Sequence, residues 1–428
     1  MTFDLILEGK AYVNYQFQSC CIGMTDGKIS AIKKVLTGGK KKQFSKELIL
    51  PAGIDIHVHF RDPGFPGKET FLSGSKAAAF GGISCVFDMP NTKPQTIKIQ
   101  DINEKIEIAE KKSVIDFGLY AGICDSNIEK LSKLQDHVNG FKVFLGSTTN
   151  SLHLTLKNLH LLFSKEIGIK KPVLFHAEDH ECLIQNRGIE KNLKDHHMKR
   201  PIECELKAIQ TLLEQAPFSF PIHICHISSK ESLQLLNQFS GPISKGVTPH
   251  HSLLHIDNTH ISNPTWYKVN PSLRPQYQQE ALLQGLQHGI ISILESDHAP
   301  HSLQEKEVDF EHAPSGISGV ETMFPLFLYK AMKQDISFQR VMSLICEKPA
   351  ELMHIKKGNI VSGYDADLIV VNPKEPTTIT SELLHSKADF TPFEGFPALF
   401  PQQVFVRGES VIDNKELVMN PGHAKKVQ

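Results

Sequence analysis

A (β/α)8 barrel of the TIM type, with a small β-sandwich unit made from both termini, is the fold this 428-residue sequence predicts. Eight apolar, β-rich runs fall at 53–59, 84–89, 114–120, 141–145, 173–176, 222–227, 243–247 and 290–294, with amphipathic stretches between them. Both ends of the chain read instead as short strands and turns. Unusual polar residues collect where the central runs stop, which is where such a barrel carries its chemistry. The division expected is residues 1–51 with 356–428 for the β unit, and 52–355 for the barrel.

From the N-terminus, strands are expected at 3–7, 11–15 and 21–24, with turns at Gly9-Lys10 and Asp26-Gly27. Gly38-Gly39 followed by Lys40, Lys41 and Lys42 reads as an exposed loop. A helix through 77–80 should stop at Gly81-Gly82, since glycine closes a helix at little steric cost. Leu206, Ile209, Leu212 and Leu213 follow helical spacing. So do Leu233, Leu236 and, loosely, Phe239, behind a capping box of Ser228 and Glu231. Strands return at 366–371, 403–407 and 410–412, with turns at Gly363, Asn372-Pro373 and Gly408. A doubly wound open sheet is the alternative, but no G-x-G-x-x-G or P-loop follows a strand.

Composition narrows the function. Lys plus Arg is 46 and Asp plus Glu is 47, so no broad surface for nucleic acid or an anionic membrane is expected. No apolar run nears the roughly 20 residues that span a bilayer. The N-terminus lacks a basic stretch before an apolar one, so a cytoplasmic protein is expected. The 8 cysteines form no C-x-x-C pair and read as free thiols of a reducing compartment. The 22 histidines are the anomaly, since imidazole is the commonest metal ligand and the usual proton carrier near neutrality.

The strongest motif is Asp55-Ile56-His57-Val58-His59-Phe60-Arg61-Asp62-Pro63-Gly64. Side chains alternate along a strand, so His57 and His59 share a side and can hold one cation, with Asp55 on the same face as an outer support. Lys142, in Gly140-Phe141-Lys142-Val143-Phe144-Leu145, is out of place in an apolar strand, where an unpaired ammonium is costly. Burial of a lysine favours the neutral amine, which can add carbon dioxide to give a carbamate able to bridge two cations. The plainer reading is a buried stem whose head snorkels to water. His176 and His226 each end an apolar strand and read as further ligands; His223, three residues before His226, should project to the other side and be structural. Asp297 follows the eighth strand in Glu295-Ser296-Asp297-His298-Ala299-Pro300-His301. It can ligate a cation through one oxygen and take a proton with the other; a cap or turn former is the bland alternative. His250 and His251 receive no role. Together His57, His59, Lys142, His176, His226 and Asp297 can form two cation sites sharing one bridge, and these donors suit Zn²⁺.

This constellation resembles the amidohydrolase superfamily, and within it the dihydroorotases, along nearly the whole chain. Residues 55–64 and 296–301 look like that family's two metal signatures. Asp88-Met89-Pro90-Asn91-Thr92 is similar to its segment bearing a substrate-binding asparagine, residues 268–274 and 313–322 to its other substrate segments, and residues 363–368 and 391–395 to its C-terminal β strands. Many long bacterial members bridge their metals with aspartate; Lys142 instead resembles branches that use an N6-carboxylated lysine. The resemblance implies a metal-dependent cyclic amide hydrolase with two divalent cations, Zn²⁺ for preference. It implies a small-molecule substrate, no nucleic-acid or membrane partner, and a chain compatible with a homo-oligomer.

The reaction so implied is the reversible closure of N-carbamoyl-L-aspartate to (S)-dihydroorotate plus water, a step of pyrimidine biosynthesis. In the hydrolytic direction a metal-bound hydroxide attacks the ring carbonyl, and Asp297 acts as base and then acid. Arg61 offers a bidentate fork to the substrate carboxylate, with Asn91 and His301 completing that pocket beside His59. A salt bridge to Asp62 is the competing reading of Arg61. Asn270 and the backbone at Ser315 and Gly316 would read the ring's amide edges. An allantoinase or a dihydropyrimidinase is the nearest alternative, although those usually lack the Met-Pro-Asn-Thr and Asp-His-Ala-Pro-His combination. A catalytically silent scaffold is the alternative of another class, and such members lose ligands that this chain retains.

Overall fold

The computed structural model describes residues 2–146, 152–164, 167–258 and 262–428. The chain opens with β1 (Phe3–Val13), β2 (Gln16–Thr25), β3 (Lys28–Lys33) and β4 (Gly39–Pro51). Ala52 alone separates β4 from β5 (Gly53–Val58). There follow β6 (Ile83–Asp88), β7 (Asp116–Gly122), β8 (Gly140–Phe144), β9 (Val173–His176), β10 (Ile222–Ile224), β11 (Ile243–Val247) and β12 (Ile293–Leu294). The C-terminal strands are β13 (Leu368–Val371), β14 (Thr377–Thr378), β15 (Pro397–Ala398), β16 (Gln403–Val406), β17 (Glu409–Asp413) and β18 (Glu416–Leu417).

Strands β5 to β12 pair in chain order, each parallel to the next. The ring closes where Val58 bridges His298: His59 N–H donates to the His298 carbonyl at 2.8 Å, and His298 N–H to the His57 carbonyl at 3.3 Å. The barrel seam therefore runs between the two polar motifs. Parallel strands covered on both faces need apolar residues on both, which is why these segments read as near-continuous apolar runs. Phe117, Phe141, Val143 and Phe175 pack outward under the helices. Ile54, Ile56, Phe87, Tyr120, Leu174 and Ile293 form a separate cluster drawn from strands all around the ring, so they fill its lumen.

Both termini join one mixed sheet, ordered β18-β17-β16-β13-β4-β1-β2-β3, in which β1 and β4 are parallel and the other pairs antiparallel. Leu7, Ile22, Ile49, Leu368, Val370 and Phe405 make its core.

Several local expectations are corrected. No turn occurs at Gly9-Lys10: β1 runs through it, held by β2 on one side and β4 on the other, with only a register shift there. The turn falls at Asn14 and Tyr15, both at positive φ, the backbone a tight hairpin demands. Lys40–Lys42 is not a loop but the start of β4, where Lys41 pairs with Glu8 at 2.7 Å and Lys42 with Asp413 at 2.9 Å. The helix Lys230–Gln238 is capped by Ser229, which accepts from Ser232 N–H. Ser228 and Glu231 form no box, because Glu205 accepts from Ser228 and Gln278 donates to Glu231. The cysteines are not all free: Cys182 and Cys204 form a disulfide joining the helices His180–Gln185 and Ile202–Leu213. The helix Phe71–Phe80 does end at Gly81, followed by Gly82 at φ +82°.

A buried ion cluster links barrel and sheet. Lys357 Nζ donates to Asp116 and Asp367, each at 2.7 Å, and pairs with Asp365 at 3.0 Å; Arg407 also pairs with Asp116. Removing one member of such a cluster strands buried charge. Lys357→Ala is expected to cost about 3–5 kcal/mol in urea unfolding. A loss under about 1 kcal/mol, the scale of an exposed pair, would show the cluster to be dispensable.

Candidate metal centre and its pocket

The polar residues at the strand ends converge. His57 Nε2 lies 3.3 Å and His59 Nε2 3.1 Å from the same oxygen, Asp297 Oδ1. His176 Nδ1 faces His226 Nε2 at 3.1 Å, and the His57 and His226 rings are 5.3 Å apart. All five residues are buried. The outward nitrogens are spoken for: His57 Nδ1 donates to Glu295 at 3.1 Å, His59 Nδ1 to Asn91 Oδ1 at 2.7 Å, and His176 Nε2 to Glu178 at 2.7 Å. Arg200 holds Glu178 through Nε at 3.1 Å. A neutral imidazole has one N–H, so the inward nitrogens of His57 and His59 present lone pairs to a carboxylate oxygen. Opposed acceptors at that distance are reconciled by a cation between them, and the acceptors behind each ring are the partners that orient metal-bound histidines. The His226 Nδ1 has no hydrogen-bond partner among the described residues. The residues present thus fit a divalent cation.

Electrostatics agree with neutral ligands. Burial, with Lys142 nearby, pushes the His57 pKa down to about 4. Burial also lowers His59, and takes His226 well below the ordinary range. Lys142 is fully buried, with Cys225 Sγ 3.0 Å from Nζ and the Phe144 ring 5.3 Å away. It does not snorkel.

Arg61, His226 and Asp297 all have positive φ (61°, 37° and 44°), where side-chain-bearing residues pay steric strain. This corrects the expectation for His223. Strand β10 ends at Ile224, and the left-handed turn at His226 breaks the alternation counted along it. His223 points inward as well, its Nε2 3.2 Å from Glu295, and Ser244 bonds its Nδ1 at 2.8 Å. Asp55 supports backbone, accepting from His57 N–H at 3.1 Å and Ser296 N–H at 3.2 Å, and burial raises its pKa to about 7. Glu295 supports the His57 ring instead. Neither Glu295 nor Glu178 is among the residues expected above, although each is a carboxylate two residues from a strand-end ligand.

A cavity of about 290 Å³ opens over this centre, lined by the four histidines, Asp297, Arg61, Asn91, Phe144, Val269, Asn270, Ala299, His301 and Pro314–Gly316. Asp62 turns to Lys112 at 2.8 Å, so Arg61 does not take it as a partner. Arg61 Nη2 lies 3.5 Å from His301 Nε2. His301 accepts from Lys68 at Nδ1 (3.1 Å) and donates to the Ser315 carbonyl from Nε2 (3.2 Å). The one N–H of His301 is therefore given to Ser315, whereas Arg61 Nε has no partner among the described residues. Asn270 Oδ1 has no partner among the described residues. The Gly316 N–H is already given to the Lys268 carbonyl. Gly316 sits at φ +154°, and a Cβ there would collide with the Ala299 carbonyl. His251 is tied to Thr248 and Pro271. Both His250 ring nitrogens lack partners among the described residues.

Residues 48–411 match the profile of the amidohydrolase family. The chain belongs to the amidohydrolase family. Similar relatives include a dihydroorotase of Methanosarcina mazei, 35% identical over 440 residues, covering 97% of this chain and 95% of the relative. A dihydroorotase of Thermoplasma acidophilum is 37% identical over 427 residues, with 98% and 97% covered. Among solved structures, the L-hydantoinase (dihydropyrimidinase) of Arthrobacter aurescens superposes with a TM-score of 0.94 at 25% identity, 99% of each chain covered. As a member of this family the chain is a metal-dependent hydrolase. Among its described residues no helix is long and apolar enough to cross a membrane.

Proposed function

We propose that this amidohydrolase is a dihydroorotase, interconverting (S)-dihydroorotate and N-carbamoyl-L-aspartate. The observation that carries the reading is the Arg61 guanidinium lining one side of the cavity with its Nε unpartnered among the described residues, a fitting receptor for a carboxylate on a cyclic amide. The named relatives support it. A dihydropyrimidinase is the second reading, favoured by the 0.94 TM-score to the Arthrobacter enzyme.

His57, His59, His176, His226 and Asp297 would hold two divalent cations, Zn²⁺ for preference, with Lys142 as a carboxylated bridge. Bound there, the cations acidify water and polarise a carbonyl. Asp297 turns Oδ1 toward the imidazoles, which leaves Oδ2 to take the proton of the attacking water. As the water oxygen bonds to the ring carbonyl carbon and the C–N bond breaks, Asp297 passes that proton to the departing nitrogen. Arg61 fixes the carboxylate, His301 joins it by turning its N–H away from the Ser315 carbonyl, and Asn270 Oδ1 accepts from a ring N–H. Asn91 acts on His59 as well as on the pocket, since it already bonds that ring. Gly316 contributes its carbonyl, its N–H being engaged.

The deciding experiment is ultraviolet monitoring of dihydroorotate hydrolysis beside hydantoin, dihydrouracil and allantoin, with metal analysis of the same sample. Dihydroorotate should be strongly preferred; chelation should abolish turnover and Zn²⁺ restore it. Preference for dihydrouracil would install the second reading. Folding should largely survive chelation, because the barrel has its own core.

Arg61→Lys keeps the charge and loses the planar fork. Losing one charge-assisted bond should cost on the order of 1.5–3 kcal/mol, roughly ten- to more than a hundredfold in catalytic efficiency. Unchanged kinetics would remove Arg61 from the carboxylate pocket.

Lys142→Ala should lose metal and activity together, with partial recovery when a short carboxylic acid is added. Lys142→Arg should not recover, because its side chain fills the space. Metal content and turnover of both variants decide this. An unmodified lysine in fully active, metal-loaded protein would overturn the bridge.

A further inference from the structure

The cavity's upper edge is irregular backbone held by buried cations. Two segments face each other there: Lys268-Val269-Asn270, and the turn Pro314-Ser315-Gly316. Irregular chain buried at such an edge must find partners for its carbonyls. Lys306 supplies them. It ends the short helix Leu303–Lys306, its side chain is fully buried, and it lies outside every motif assigned above. Its Nζ donates to the Lys268 carbonyl at 3.2 Å and to the Pro314 carbonyl at 2.9 Å. The Lys268 carbonyl also accepts from Gly316 N–H at 2.9 Å. One ammonium therefore fastens the segment bearing Asn270 to the turn bearing Gly316.

We propose that Lys306 is a positioning residue that sets the spacing between Asn270 and the Pro314–Gly316 turn, and so determines how tightly the pocket grips an anionic cyclic amide. The inference rests on the dihydroorotase reading for the identity of that amide. It adds a residue that acts through the two segments it holds, without touching the substrate.

Lys306 also bears on charge. Its surroundings are Lys268, Glu305, His301 and the Phe390 ring, whose centroid is 5.7 Å from Nζ. Burial and the Lys268 charge pull its pKa down to about 7, against Glu305, which raises it. Lys268 is in turn engaged by Glu190 at 3.3 Å and by the carbonyls of Phe310 and Glu311. Below about pH 7 Lys306 carries its proton and adds positive charge beside His301; above it that charge fades. Grip on an anionic substrate should weaken as pH rises through this range, while grip on a neutral cyclic amide should not.

The test compares wild type, Lys306→Gln and Lys306→Met for KM, kcat, metal content and thermal midpoint, with dihydroorotate and neutral dihydrouracil, from pH 6 to about 8.5, the span around a group titrating near neutrality. Lys306→Gln keeps a donor without the charge. It should hold KM for dihydroorotate at the wild type's high-pH level throughout. Lys306→Met loses both, and KM should rise roughly ten- to a hundredfold, the effect of a lost charge-assisted bond. In both variants kcat and metal content should change far less than KM. Wild-type KM and pH profile in folded Lys306→Met protein would overturn the proposal, and so would equal losses in kcat and metal content in Lys306→Gln. Failure of the dihydroorotase reading shows separately, as absence of dihydroorotate turnover in the wild type.

Discussion

The site depends on one buried carboxylate. Glu295 sits at the barrel axis just past β12, with no exposure to solvent. It accepts from His57 Nδ1, His223 Nε2 and the His226 N–H, the last at 2.6 Å. A carboxylate taken out of water this far is tolerable only when its oxygens are fully engaged. Burial alone would raise its pKa, but His223 and His57 outweigh it and keep Glu295 ionised. It thereby locks the end of β5 and the turn after β10 to the end of β12, and sets the His57 ring and the strained His226 backbone together. Glu178 repeats the device on a smaller scale, fixing His176 while Arg200 neutralises it.

These supports separate the site into a rigid floor and an adjustable edge. The floor residues are placed by strand ends that the barrel lumen and its outer core hold from both sides. Three of them, Arg61, His226 and Asp297, occupy backbone conformations that an unsupported chain would leave. The edge is different. Residues 268–270 and 314–316 belong to no strand or α-helix; Lys306 satisfies the Lys268 and Pro314 carbonyls, His301 that of Ser315, and His196 that of Val269 at 3.0 Å. Relatives named dihydroorotase and a structural neighbour named dihydropyrimidinase share this one fold.

Much of this was legible in the amino-acid order, and the reasons are local. Parallel barrel strands must be apolar on both faces, so all eight stand out as runs, and their polar terminators mark the open end. His-x-His needs only strand geometry to present two imidazoles on one side. What misled the reading was also local. Gly9-Lys10 resembles a turn, but sheet pairing on both sides of β1 overrides it. Ser228 resembles a cap, but Glu205 claims its hydroxyl.

By itself the sequence determined the order of elements, the barrel with its β unit from both ends, and the inventory of imidazoles, carboxylates and one misplaced lysine, because these follow from periodicity and from the cost of burying charge. Only the tertiary structure decided which groups meet. His223 meets Glu295 inside the barrel, and His226, three residues on, turns to the same side because its left-handed backbone breaks the strand's alternation. Arg61 is left to face the cavity because Lys112, 50 residues beyond Asp62, takes that carboxylate. Cys182 finds Cys204 because two helices separated in sequence pack side by side. Each of these is a contact between segments apart in sequence, and packing of the helices and loops on the barrel, which no local pattern encodes, is what brings them within bonding distance.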